Sequence, residues 1–82
     1  MTSNTTKRTC IVLDYGWIIE GKVVERGEII RLEDASVVRR WSNGRGIGAI
    51  ADPTHKDEYT LDPIGDVGVY ARRVLFEIPL RW

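Results

Sequence analysis

Hydrophobic and polar residues alternate along much of this chain, and Ile and Val occupy many of the apolar positions. A two-residue period of this kind is typical of β-strands that have one buried and one exposed side. The pattern predicts strands over residues 9–13, 35–41, 59–61, 67–70 and 74–78. Residues that favour turns separate these segments, so we expect short strands joined by tight connections.

The clearest local pattern is a hairpin over residues 17–33, with its turn at Arg26-Gly27. Pairing Glu25 with Glu28 across a two-residue turn gives the hairpin one apolar and one polar side. The apolar side carries Trp17, Ile19, Gly21, Val23, Ile30 and Leu32, and the polar side carries Glu20, Lys22, Arg31 and Glu33. In this register Gly21 lies opposite Leu32, where the missing side chain would let the hairpin bend over the core.

The order of these elements predicts the fold class. Turns are expected at residues 14–16, at Asp34 and at residues 62–65, and one short helical turn at residues 47–51. We therefore predict a mainly β protein: a small, SH3-like, strongly bent antiparallel barrel with one short helical turn. The barrel domain is expected over residues 9–82, after a flexible polar tail over residues 1–8.

The size of the chain predicts self-association. With 82 residues the chain makes one small domain, whose core leaves little stability in reserve. It has one cysteine and one histidine, which excludes an internal disulfide and a Cys/His zinc site of the usual spacing. Association into a homo-oligomer is the remaining stabiliser. We expect no metal and no cofactor.

The same composition predicts the location of the protein. A lone free cysteine suits a reducing compartment, and the polar N-terminus lacks the apolar stretch of a signal peptide. There is no run of roughly 18 apolar residues, so a membrane span is not expected. These features predict a cytoplasmic protein without a membrane partner.

Charge argues against a general nucleic-acid binder, because 12 basic residues balance 12 acidic ones and such binders usually carry a basic excess. The charges are nevertheless segregated. Three arginines fall in a segment without acids, and five acids follow between residues 52 and 66. Two explanations are open: pairing of these patches within or between subunits, and a basic recess for an anionic ligand.

Residues 38–51 form the most informative segment, since they place arginines, a tryptophan and glycines between two apolar runs. Guanidinium groups bind anions, an indole stacks on flat rings, and glycines let backbone N–H groups approach a ligand. The predicted ligand-binding residues are Arg39, Arg40, Trp41, Asn43, Arg45, Gly46 and Gly48. Strand alternation puts Arg39 on the same side as Trp41 and Arg40 on the other. The alternative is structural, with Trp41 in the core and the arginines at its rim.

Catalytic chemistry has little support. The repeated G-x-G-x-x-A pattern from Gly44 lacks the long helix that a dinucleotide-binding unit needs. Cys10 begins an apolar strand, where we expect a packed thiol, and His55 lies in a charged loop, where we expect solvation. We therefore predict that the protein is not an enzyme.

Four residues are predicted to lie at an interface: Trp17, Arg72, Arg73 and Trp82. Tryptophan and arginine are enriched at interface hot spots. The ending Leu80-Arg81-Trp82 is amphipathic, so it has to pack on the domain or on a neighbour.

The segments Ala35 to Trp41, Gly46-Ile47-Gly48 and Ile50 to Thr54, with the β-rich part that follows, resemble small uncharacterised proteins encoded by phages and prophages. The resemblance spans roughly residues 11–79. It implies a binding protein, since small β-rich phage proteins include factors that sequester nucleotide immune signals or block host defence proteins.

Three functions follow as hypotheses. The first is a phage-type module that captures an anionic, nucleotide-like ligand as an anti-defence sponge. The second is a protein-interaction module that inhibits or docks on a host protein. The third is weak nucleic-acid binding through Arg72 and Arg73.

Overall fold

The strands of the protein form one antiparallel sheet, which confirms the mainly β prediction. The computed structural model describes residues 8–41, 44 and 46–82. The strands are β1 (Arg8–Leu13), β2 (Ile18–Glu25), β3 (Ile29–Trp41), β4 (Tyr59–Tyr70) and β5 (Val74–Pro79). Four 3₁₀ turns connect them: η1 (Asp14–Gly16), η2 (Ile47–Ala51), η3 (Pro53–Glu58) and η4 (Ala71–Arg73). The expected helical turn over residues 47–51 is thus confirmed as η2.

The sheet is open, so the predicted closure into a barrel is wrong. Its strand order is β4-β3-β2-β1-β5, which makes β4 and β5 the two edges. Strand β5 pairs along β1, from Thr9 opposite Pro79 to Leu13 opposite Val74. Over the described part of the chain no ladder joins β5 to β4. The first four strands therefore form a meander, and the last strand returns to lie beside the first.

Two predicted turns are irregularities inside long strands. Asp34 was expected to begin a turn, but it lies within the 13-residue strand β3 with a left-handed φ of 52°. Residues 62–65 were also expected to turn, but they lie within the 12-residue strand β4, where Gly65 has φ 79°. Left-handed residues can kink a strand without reversing the chain. The local sequence therefore showed where the strands bend and wrongly predicted that they end there.

The predicted hairpin register is wrong by two residues. Val23 and not Gly21 lies opposite Leu32, and Lys22 lies opposite Glu33. The connection is a three-residue loop after Glu25, and the pairing shifts again between Val23 and Glu25. Since side chains alternate with a period of two, a two-residue slip leaves each residue on its expected side. The apolar side is accordingly buried, apart from Val23, which is partly buried, and Trp17, which is exposed.

The sheet bends along a line that crosses β2, β3 and β4 at residues with small side chains. We call the line through Gly21, Ala35 and Gly65 the bend line. Asp34 and Ala35 together oppose Gly21, because Glu20 pairs with Ser36 and Lys22 with Glu33. A Cβ atom on Gly21 would lie 2.9 Å from the Cβ of Ala35 and 3.0 Å from its Cα. On β4, Gly65 lies opposite Ala35. The absence of a side chain at Gly21 therefore lets the strands approach closely where the sheet folds over its concave face.

Each face of the sheet has its own apolar cluster. The concave face holds Ile11, Leu13, Ile19, Ile30, Leu32, Ala35 and Val69. The opposite face holds Cys10, Val38, Ile50, Tyr59 and Leu80, with Trp41 and Trp82 packed against them. The second face is covered by η2 and by the C-terminal residues after β5, where the Leu80 N–H donates to the Arg8 carbonyl (2.9 Å). A small chain is thereby able to bury both sides of one sheet.

The bend carries the tip of the β2–β3 hairpin over to β5. Arg26 at this tip forms two hydrogen bonds to the Glu77 carboxylate, at 2.9 and 2.7 Å. The N–H of Ala71 donates to the Glu28 carbonyl at 2.9 Å, which attaches η4 to the same tip. These contacts fasten the bent sheet across its concave side.

Replacing Gly21 with Ala tests the bend line. The new methyl group would overlap Ala35, including its backbone, so we expect a loss of roughly 1–3 kcal/mol in the free energy of unfolding. The matched control is Gly27→Ala, because a Cβ there meets nothing within 4 Å. Urea denaturation measures both. A Gly21→Ala variant as stable as the natural chain would contradict the close approach.

Acid titration tests the contact at the hairpin tip. Hydrogen bonding by Arg26, together with its charge, holds the pKa of the Glu77 carboxyl below its ordinary value. Such a carboxyl stabilises the fold above its unfolded pKa, and the contribution is lost as pH falls through the folded pKa. Between roughly pH 5 and 3, the melting temperature should therefore fall more steeply in the natural chain than in Glu77→Gln.

The control for this titration is Glu28→Gln, since the described residues offer the exposed Glu28 carboxylate no partner. Its melting temperature should follow the natural chain across the same range. If the melting temperature of Glu77→Gln fell with pH as steeply as that of the natural chain, the Arg26–Glu77 contact would not hold the hairpin tip in solution.

Candidate functional site

The structure does not bring the predicted ligand-binding residues Arg39, Arg40 and Trp41 together. Arg39 is exposed, and its guanidinium lies 3.2 Å from the Asp62 carboxylate. Arg40 is also exposed and has no carboxylate partner among the residues that the structure describes. The pairing of β3 with β4 slips between Val38 and Arg40. The slip places Trp41 in the same cluster as Val38, so the expectation that Trp41 shares a side with Arg39 is wrong.

Trp41 serves the covered face of the sheet. Its ring is half-buried and packs on Tyr59, with ring centroids 5.9 Å apart and planes tilted by 42°. Gly46 adopts a left-handed φ of 76°, and its carbonyl accepts a hydrogen bond from the Tyr59 hydroxyl. Gly48 lies exposed in η2. Asn43 and Arg45 lie outside the described residues, so a ligand clamp in this segment stays a prediction.

A different group of side chains surrounds a recess at one end of the concave face. Its volume is about 290 Å³. Leu13 and Val69 contribute apolar lining, and Tyr15, Trp17, Tyr70, Asp14 and Arg73 complete it. We call this cavity the aromatic recess. It brings together Trp17 and Arg73, two of the four predicted interface residues, from opposite ends of the sequence.

The turn η1 holds two of the aromatic rings outward. Tyr15 has a left-handed φ of 59° and Gly16 a φ of 80°, so the chain reverses within these two residues. The N–H of Leu13 donates to the Trp17 carbonyl at 2.8 Å, which closes the turn. A left-handed conformation is costly for a bulky residue such as Tyr15, and residues held in this way cluster at functional sites. Tyr15 is 89% exposed.

An ion pair joins η1 to η4 beside the recess. The Arg73 guanidinium lies 2.9 Å from the Asp14 carboxylate. This contact links the turn after β1 to the turn before β5, 59 residues apart in the chain. The positions of the rings at the recess thus depend on tertiary contacts as well as on the local turn.

Tyr70 lines both the aromatic recess and a second cavity. That cavity measures about 390 Å³ and is lined by Glu28, Ile29, Tyr70, Ala71 and Arg72. The Arg72 guanidinium lies over the Tyr70 ring, 5.6 Å from its centroid. The predicted interface residue Arg72 therefore adjoins the same aromatic surface.

Sequence reasoning missed Tyr15 and Tyr70. It treated the first as part of a turn and the second as the end of a strand. A weak signal was present at Tyr15, because a large aromatic residue inside an Asp-Tyr-Gly turn has no strand side on which to be buried. Nothing local marked Tyr70, since the aromatic rings that share the recess with it, Tyr15 and Trp17, are distant in the sequence.

Trp82, the fourth predicted interface residue, packs within the chain. Its indole N–H donates to the Ile50 carbonyl at 2.7 Å. The Lys56 ammonium lies over its ring, 4.8 Å from the centroid. Trp82 is therefore fixed on the covered face of the sheet, away from the aromatic recess.

Cys10 and His55, the two side chains considered for catalytic chemistry, lie in different environments. Burial, and next the charge of Glu20, raise the pKa of the Cys10 thiol to about 12, so the thiol is protonated at neutral pH. Cys10 is fully buried, which confirms the packed thiol. His55 is not simply solvated, since its Nδ1 lies 3.0 Å from the Glu58 carboxylate. The described residues contain no cluster of three or more metal-ligating side chains.

None of the helices within the described residues combines the length and apolar character that crossing a membrane requires. No protein-family model, curated protein or solved structure matches this chain.

Proposed function

We propose that the protein is a small interaction module that docks on a partner protein through the aromatic recess. One observation carries the proposal: three aromatic rings surround a single cavity and remain largely exposed. Tyr15 is 89% exposed, and Trp17 and Tyr70 are each 58% exposed. Rings of this size normally contribute burial to a fold or to an interface. In this chain the strained Tyr15 backbone and the Asp14–Arg73 ion pair hold the rings outward.

The composition of the surface favours a polypeptide partner. Tyrosine, tryptophan and arginine are the residues that contribute most to protein–protein binding. The two cavities, of about 290 and 390 Å³, share the Tyr70 ring and together form a surface longer than either one. Such a surface suits a longer, extended partner.

We further propose that the partner presents an extended, proline-containing segment. Such segments adopt the polyproline II conformation, lose little entropy on binding and place their rings flat against aromatic side chains. Tyr70 stands between the two cavities as the ring around which successive proline turns would fit. Arg72 is the cation on that ring and has no carboxylate partner among the described residues, so an acidic residue near the prolines would add to binding.

The predicted likeness to SH3-like folds is retained as part of this proposal. The meander β1 to β4, the return of β5 to β1 and the 3₁₀ turn before β5 support it. In this interpretation the sheet is strongly bent but remains open between its edge strands. Fold-level likeness does not assign the function, which rests on the aromatic recess.

A display library of peptides with two prolines in a Pro-x-x-Pro core tests the docking proposal. We expect selection on the natural chain to enrich binders over a matched library without proline. Tyr70→Ala and Trp17→Ala should each weaken the selected peptides at least about tenfold, because each removes a ring from a hot spot. Fluorescence anisotropy with a labelled peptide gives the dissociation constants.

Ile64→Ala is the matched control, since Ile64 is exposed on β4 and does not line either cavity. It should bind as the natural chain does. The docking proposal fails if neither library enriches binders, or if the selected peptides bind Tyr70→Ala as tightly as the natural chain. Equal enrichment from both libraries, with loss in Tyr70→Ala, would retain docking and reject the proline requirement.

Capture of an anionic, nucleotide-like ligand is a second proposal for the segment around Arg40. The exposed Arg40 guanidinium favours it, whereas the Arg39–Asp62 ion pair leaves less charge for a phosphate. Thermal unfolding with cyclic dinucleotides and ADP-ribose tests it, with Arg40→Gln as the variant. Stabilisation that disappears in Arg40→Gln would support this function, and an unmoved melting temperature across the panel would reject it.

A further inference from the structure

A second recess lies on the opposite face of the sheet, where one row of residues crosses all five strands. Paired positions place Ile78, Cys10, Glu20, Ser36 and Pro63 side by side. Directly opposed residues on neighbouring strands point to the same face. The row is apolar at Ile78 and Cys10 and becomes polar at Glu20 and Ser36. The recess opens over this polar part.

Trp82 and Lys56 form one wall of this recess. The cavity measures about 280 Å³, and its lining also includes Leu61 and Pro63 from β4. The bond from the Trp82 indole N–H to the Ile50 carbonyl fixes the ring, and the Lys56 ammonium lies over it. The recess therefore combines a rigid aromatic wall, an aliphatic side and a polar floor.

One arginine, Arg8, binds both carboxylates of the recess. Glu20 is only 1% exposed, and its two carboxylate oxygens accept hydrogen bonds from Arg8 at 2.9 Å each. Arg8 also bonds to the Asp34 carboxylate at 3.2 Å and to the Asp34 carbonyl at 2.7 Å. A two-pronged arginine–carboxylate contact of this kind compensates the cost of burying Glu20. Glu20 was expected on a solvated side, and Arg8 is what allows its burial.

The groups that remain free in the recess are hydrogen-bond donors. Ser36 is 8% exposed, and its hydroxyl has no partner among the described residues. A buried hydroxyl without a partner is uncommon, because it has lost its water without gaining a hydrogen bond. The Lys56 ammonium has an aromatic contact but no carboxylate partner within the described part of the chain. Both groups can donate to an incoming acceptor.

We propose that this recess binds a carboxylate attached to a small apolar body. The carboxylate would accept hydrogen bonds from the Ser36 hydroxyl and the Lys56 ammonium. The apolar body would lie against Leu61 and Pro63, next to the Trp82 ring that the Lys56 ammonium and the Arg8 guanidinium approach. The cavity is slightly smaller than ligand pockets usually are, which limits the body to the size of one aromatic ring or a short aliphatic chain. The site is separate from the aromatic recess and does not depend on its function.

The one cation without a carboxylate partner limits the charge of the ligand. Arg8 is paired with the buried Glu20, and the Asp34 carboxylate is 83% exposed and screened by water, so Lys56 is left to face one negative charge. A phosphate dianion would add two negative charges next to Glu20 and Asp34, and is disfavoured. A cation would have to displace Lys56 from the indole. The carboxylate can come from a free organic acid or from the C-terminus of a polypeptide, which share this chemistry.

NMR titration of the full chain with sodium benzoate tests the site. The indole N–H of Trp82 is the reporter, assigned with Trp17→Phe and Trp41→Phe spectra. We expect a saturable shift with a dissociation constant on the order of 1 mM, the affinity reasonable for nine heavy atoms. Benzamide, which lacks the charge, should bind at least about tenfold more weakly. Phenyl phosphate should also bind more weakly than benzoate.

Variants separate the site from a general effect of salt. Lys56→Gln should weaken benzoate at least about tenfold and Ser36→Ala about threefold or more, because each removes one donor. Lys22→Gln is the matched control, since Lys22 does not line the recess. Dispersed spectra will show that the variants fold, and Ser36→Ala removes only a hydroxyl without a partner.

The outcomes are distinct. A shift of Trp82 that is absent with benzoate, or that is equal with benzamide or in Lys56→Gln, overturns the proposal. Tighter binding of an N-acetylated dipeptide with a free C-terminus than of benzoate identifies a polypeptide terminus as the source. Tighter binding of benzoate than of that peptide, and no binding of its amidated form, identifies a free acid.

Discussion

The close approach of Gly21 to Ala35 is the constraint on which the rest of this structure depends. A Cβ atom on Gly21 would lie only 2.9 Å from the Ala35 Cβ, so no side chain fits at this position of the bend line. The bend at that line carries the hairpin tip to β5, where Arg26 meets Glu77. It also brings η4 against the tip, through the bond from Ala71 to Glu28. Tyr70 immediately precedes this turn and Arg73 is its last residue, so the aromatic recess depends on the bend of the sheet.

A second constraint is that a single sheet in a small chain has two faces to cover. The concave face is covered by the bend itself, and the other face by η2 and the C-terminal residues. This division explains why Trp41 and Trp82 are needed within the domain, whereas Trp17 is left outside. It also explains the Arg8–Glu20 pair. This pair lies on the second face, where the residues of the sheet change from apolar to polar. The two recesses occupy the places where each cover is incomplete.

The sequence predicted the elements better than their arrangement. Alternation located β1 and β5, and the Gly-rich segment before Asp52-Pro53 located η2, because these features depend on neighbours in the chain. The register of the hairpin was missed since a two-residue slip preserves the alternation on which the prediction rested. The turns expected at Asp34 and residues 62–65 are kinks in long strands. Residues that readily adopt a left-handed φ occur both in turns and at strand kinks, so the local sequence does not distinguish the two. Of the residues that line the aromatic recess, the sequence predicted only Trp17 and Arg73 as functional, since the recess is assembled by tertiary contacts.

Photo-crosslinking from Tyr15 tests the central claim most directly. A benzoylphenylalanine at this highly exposed position should crosslink, in the cell that encodes the protein, to one discrete partner. Mass spectrometry of the crosslinked peptide should place the contact in an extended, proline-containing segment. The same photoreactive residue at Ile64, exposed but remote from the recess, should give no such product. Equal crosslinking from both positions, or none from Tyr15, would contradict a docking function for the aromatic recess.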